Sequence, residues 1–97
     1  MREIAYNKLV RDKIPEIIAT SGKNCETEIL DEYEYRVMLD KKLDEELVEY
    51  RHDHNAEELA DLLELIYSIA VAIGYSVGDL EKIRRAKAAE RGSFIKR

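Results

Sequence analysis

Tyr35, Leu39, Leu43, Glu46 and Tyr50 follow one another at steps of four, four, three and four. That spacing draws a single stripe along a helix. Asp31 followed by Glu34 is the Asx version of a capping box and predicts that this helix opens at about residue 32 and runs to about 51. Asn55 followed by Glu58 repeats the device for a helix over residues 56–73. Between Leu59 and Ile73 only Asp61, Glu64, Tyr67 and Ser68 carry polar groups. A helix apolar around most of its circumference is buried on nearly all sides. One chain of 97 residues has few other helices with which to cover it, so a homodimer or higher homo-oligomer is expected.

Gly74 ends that helix, and Ser76 with Asp79 caps a last one over residues 77–91, with Gly92 as its stop. Upstream, Pro15 suits the first turn of a short helix through residue 19, because its missing N–H is not needed there, and Gly22 closes it. Residues 1–9 read as extended or irregular, and residues 23–30, with Thr27 and Ile29 among alternating acids, predict a short extended segment. The pattern specifies one all-α domain over residues 1–97, a helical bundle completed by dimerisation.

Composition narrows the setting. With 45% hydrophobic and 38% charged residues, the chain reads as globular with heavily charged faces. No apolar run approaches the roughly 20 residues of a membrane span. The start Met1-Arg2-Glu3-Ile4 has no signal-peptide core, and the single Cys25 cannot form an internal disulfide. A cytoplasmic protein without membrane partners is expected.

The net charge of −5 conceals an asymmetry. Residues 26–64 carry fifteen acids against four bases, whereas residues 82–97 carry seven bases against one acid. The first thirteen residues add Arg2, Lys8, Arg11 and Lys13 against Glu3 and Asp12. A basic end suggests either nucleic acid or polyphosphate as ligand. Aromatic residues do not interleave with these bases as a single-strand binder requires, which favours polyphosphate, and no nucleic-acid partner is expected.

The acids carry the candidate chemistry. Glu46 and Glu49 are three apart, Glu58 and Asp61 are three apart, and residues 50–57 between them form a polar run that reads as a tight connection. Residues three apart share a helix face, so two such pairs on antiparallel neighbours converge on one point. A cluster of hard oxygen ligands suits Mg²⁺ or Mn²⁺. Glu46 lies inside the apolar stripe, where a carboxylate must be paired, protonated or bound to a cation. Asp61 also belongs to a polar stripe of Glu57, Asp61, Glu64 and Ser68, which fits a solvated acid, and Glu58 fits a helix cap alone; both readings stand beside the metal site. In the last helix, Leu80, Arg84, Lys87 and Arg91 recur at steps of four, three and four and form a basic stripe, read either as a solvated face or as a phosphate grip.

Three stretches together resemble a known family. They are Tyr6-Asn7-Lys8-Leu9-Val10-Arg11-Asp12-Lys13-Ile14-Pro15, then Lys42-Leu43-Asp44-Glu45-Glu46-Leu47-Val48-Glu49 with Glu57-Glu58-Leu59-Ala60-Asp61, and Lys87-Ala88-Ala89-Glu90-Arg91-Gly92-Ser93-Phe94. In this order they resemble the MazG-like all-α nucleoside triphosphate pyrophosphohydrolases, and most nearly the small "house-cleaning", phosphoribosyl-ATP pyrophosphohydrolase-like branch. The resemblance implies a dimeric helical enzyme that cuts a nucleoside triphosphate into its monophosphate and pyrophosphate. It implies Mg²⁺ on Glu46, Glu49, Glu58 and Asp61. It matches Lys87 and Arg91 to the basic pair before a Gly-x-Phe ending, and Lys8 and Arg11 to N-terminal donors. Only eight residues separate the acid pairs, fewer than in many members of that family.

The chemistry is consistent with that implication. Cleavage between the α- and β-phosphates requires an ion that neutralises developing charge and acidifies a water. It also requires cations on the leaving pyrophosphate, for which Lys8, Arg11, Arg84, Lys87 and Arg91 are candidates, and a base, for which Glu45 and Glu46 are equally placed. His52 and His54 fall in the connecting run and stay outside the site. Phosphoribosyl-ATP is the rival substrate, and a non-catalytic helical binding module is the rival class.

Overall fold

In the computed structural model, residues 8–23 and 26–97 are described. They form four helices: α1 (Ile14–Thr20), α2 (Glu32–Asp53), α3 (Ala56–Ala72) and α4 (Val77–Arg91). No strand occurs among the described residues, so the chain is all-α. The extended segment predicted over residues 23–30 forms no strand either: residues 26–30 are irregular, since no second strand is there to pair with them. The expectations for residues 1–7 and for Cys25 lie outside the described residues.

The helix starts follow from their caps. Asp31 Oδ1 accepts from the Glu34 N–H at 2.8 Å, and Asn55 Oδ1 from the Glu58 N–H at 3.0 Å. The capping box is complete only at α4, where Ser76 and Asp79 bond reciprocally at 3.0 and 3.1 Å. At α3 the expected box is therefore half built. Asn55 caps the backbone of Glu58, and the Glu58 carboxylate is left for other work.

α2 and α3 pack as an antiparallel hairpin and carry the core. The turn between them is short because His54 adopts the left-handed conformation (φ 48°) and donates its backbone N–H to the Tyr50 carbonyl at 2.7 Å. Its ring meets Tyr50 edge-on, with centroids 5.2 Å apart. At the open end Arg36 donates from Nη2 to the Ala72 carbonyl at 2.7 Å, so a residue near the start of α2 satisfies an orphan carbonyl at the end of α3. Gly74, at φ +102°, then turns the chain into α4, which packs on α3.

The stripe expected on α2 faces α3: Leu39 is buried, and Tyr35, Leu43, Glu46 and Tyr50 are half-buried. The core is small, with only Leu39 and Ala70 buried among the described residues. α3 is not covered on all sides by its own chain. Leu59, Leu63, Ile66 and Val71 lie 42–60% exposed.

Candidate metal centre

The closed end of the α2–α3 hairpin gathers the acids. Glu46 and Glu49 lie on the last turns of α2, and Glu58 and Asp61 on the first turns of α3, so the short turn brings both sets to one place. Carboxylate oxygens of Glu46, Glu58 and Asp61 lie within 4.8 Å of one another, and all three residues are half-buried. Oxygens of Glu49, Asp53 and Glu58 form a second such group, with Glu49 and Asp53 exposed. The four predicted acids thus divide between two groups that share Glu58. Asp53 is the residue that sequence reasoning missed. Ending α2 at residue 51 placed it in the connection, whereas the helix continues through Asp53 and sets it one turn beyond Glu49. Its spacing of four from Glu49 was the available signal.

Crowded negative charge marks the centre electrostatically. The Glu58 carboxyl is held above its ordinary range, first by burial, then by Asp61, Glu46, Asp53 and Glu49. Two cations offset part of this charge. Lys42 lies 3.4 Å from Glu46 and 3.8 Å from Glu45, and Arg11 meets Asp61 at 2.5 Å. Glu46 is therefore paired, as its place in the apolar stripe requires, and Asp61 is paired rather than simply solvated. Glu45 holds to Lys42 and belongs to neither convergent group. The donors are all carboxylate oxygens, with no sulfur or imidazole in either group, which fits a hard divalent ion such as Mg²⁺ or Mn²⁺.

His52, in the last turn of α2, and His54, in the connection, are occupied locally. His52 Nδ1 lies 2.7 Å from Asp53 Oδ1, and this contact raises the His52 pKa. His54 supplies the turn.

The basic residues are more dispersed than the acids. Lys8 is exposed. Arg84 is engaged by Glu81 through three contacts of 2.9–3.2 Å, which raises the Arg84 pKa and lowers that of Glu81. Lys87 and Arg91 are exposed and form no ion pair among the described residues. By helical rise Asp61 lies about 16 Å from the end of α3 and Lys87 about 15 Å out along α4. α4 is bent 109° from α3 and so runs partly back along it. No single described helix is long and apolar enough to cross a membrane.

No family model matches the sequence, and no solved structure matches it. Over 44 residues the chain is 50% identical to an uncharacterised protein of Mycolicibacterium smegmatis. The match covers 45% of this chain and 45% of that protein's length.

Proposed function

We propose that the chain is a Mg²⁺-dependent pyrophosphohydrolase that cleaves a nucleoside triphosphate between its α- and β-phosphates, with non-canonical nucleotides as its substrates. The observation that carries this reading is the convergence of Glu46, Glu58 and Asp61 oxygens within 4.8 Å at the closed end of the hairpin. The resemblance of the N-terminal, acidic and C-terminal stretches to the MazG-like pyrophosphohydrolases supports it.

In this reading Glu46, Glu58 and Asp61 hold the ion, with Glu49 and Asp53 beside them. A bound divalent ion supplies Lewis-acid stabilisation and a more acidic water. Glu46 is better placed than Glu45 to accept a proton there, because Glu45 lies outside the convergent acids. Lys8, Lys87 and Arg91 take the leaving pyrophosphate through charge-assisted contacts, and Arg84 contributes once it leaves Glu81.

The proposal includes a homodimer. The exposed apolar side of α3 needs a partner, which a second copy supplies. Pyrophosphate release from a panel of canonical, damaged and phosphoribosyl nucleotides, with Mg²⁺ and with chelator, tests the reading. Release that needs Mg²⁺ is expected. None on any substrate leaves the other reading, a non-catalytic helical module, which the neutralisation of Arg84 by Glu81 favours.

A further inference from the structure

Among the described residues, Asp61 is the one acid of the convergent group whose counter-charge comes from outside the hairpin. Its Oδ1 takes the Arg11 guanidinium at 2.5 Å, from a segment fifty residues earlier in the chain. Glu46, by contrast, is met by Lys42 from its own helix, one turn away. Arg11 precedes α1, which makes no close backbone approach to the other helices, so α1 does not hold Arg11 against the hairpin. The ion pair is open to water as well, with the Arg11 and Asp61 side chains 60% and 39% exposed. Such a pair is worth only about two- to fivefold in an equilibrium constant and breaks easily.

A divalent cation drawn to Glu46, Glu58 and Asp61 meets a carboxylate already holding a positive charge. Two cations on one carboxylate repel, and the monovalent one, held by a solvent-exposed ion pair, is the weaker. From this we infer that Arg11 is a built-in counter-cation for the metal centre: it occupies Asp61 while the ion is absent and is displaced from it when the ion binds. The inference rests on the metal-centre reading and adds a coupling to it. Ion binding releases a guanidinium at the edge of the site, where its planar donor fork suits a phosphate. By linkage, whatever anion then holds Arg11 also strengthens ion binding.

The test is direct calorimetric titration of Mn²⁺ alone, at low salt and without nucleotide, into the full chain and its Arg11→Gln and Arg11→Lys variants. The exposure of Arg11 makes it dispensable for folding, and circular dichroism melts check that. Removing the competing charge should tighten Mn²⁺ binding by about three- to tenfold in Arg11→Gln. Arg11→Lys, which keeps the charge but not the fork, should stay near the parent protein. Equal or weaker binding by Arg11→Gln would overturn the counter-cation role and leave the metal centre standing. Absence of Mn²⁺ binding in all three proteins would remove both.

Discussion

Asp61 on α3 and Arg11 ahead of α1 form an ion pair across fifty residues of sequence. It ties the N-terminal segment to the acids gathered at the hairpin turn. The geometry puts a basic residue of the first resembling stretch against an acid of the second. Neither was an obvious partner of the other in the linear pattern.

If the convergent acids hold the ion, Glu46→Gln, Glu58→Gln and Asp61→Asn should each weaken Mn²⁺ binding by more than about tenfold, since even groups that merely support a metal ligand are worth that much. Glu45→Gln should change it little, because Glu45 lies outside both groups. Calorimetry distinguishes the two sets, and equal binding by all four variants would sink the site.

Glu58 predicts a pH dependence of definite sign. Its pKa is raised above the ordinary 4.5, so the folded state takes up its proton more readily than the unfolded chain does. The ion-free protein should therefore lose stability as pH rises from 4.5 through the raised value, and show no further contribution from Glu58 above it. Protons also compete with the ion, so Mn²⁺ affinity should fall as pH drops through the same window. Melting curves of wild type and Glu58→Gln, taken across that range with chelator present, isolate Glu58 from Glu34, whose pKa is raised mainly by Asp31. A wild-type profile that parallels the variant's would mean that the crowding has no thermodynamic consequence.

Lys87 and Arg91 lie exposed on α4, so Lys87→Ala and Arg91→Ala should keep both the melting temperature and Mn²⁺ affinity. Turnover should fall roughly 30- to 1,000-fold if each contacts phosphate mainly in the transition state. Arg84→Ala should cost less, because Glu81 already holds that guanidinium. Unchanged kcat/KM in the Lys87 and Arg91 variants would return the stripe to a solvated face.

The open side of α3 makes oligomeric state a sharp test. Light scattering at micromolar concentration should give about twice the 11.3 kDa chain mass. Placing a charge at Leu63 or Ile66, which are 46% and 42% exposed in one chain, should dissociate or unfold the protein. A stable wild-type monomer would show that the hairpin tolerates this surface in water.

Sequence by itself determined the helices and most of their ends. Caps and stops act within a few residues, so Asp31, Asn55 and Ser76 mark starts that the structure reproduces, and α4 runs over 77–91 as its signals predict. Periodicity likewise placed Glu46 on the inward stripe of α2, because a helix face is a local property. The end of α2 was misplaced by two residues: a polar run reads as a loop, whereas the His54 turn lets the helix continue through Asp53. What only the tertiary structure decided is which charges meet. Helical spacing put Glu46 beside Glu49 and Glu58 beside Asp61, but the packing of α2 on α3 regrouped them as Glu46, Glu58 and Asp61, with Glu49 and Asp53 on the outer side. The Arg11–Asp61 pair and the bend that turns α4 back at the end of α3 are of the same kind. Charges act through space, and the distances between helices are set by side-chain packing across them, which the order of residues along one chain does not express.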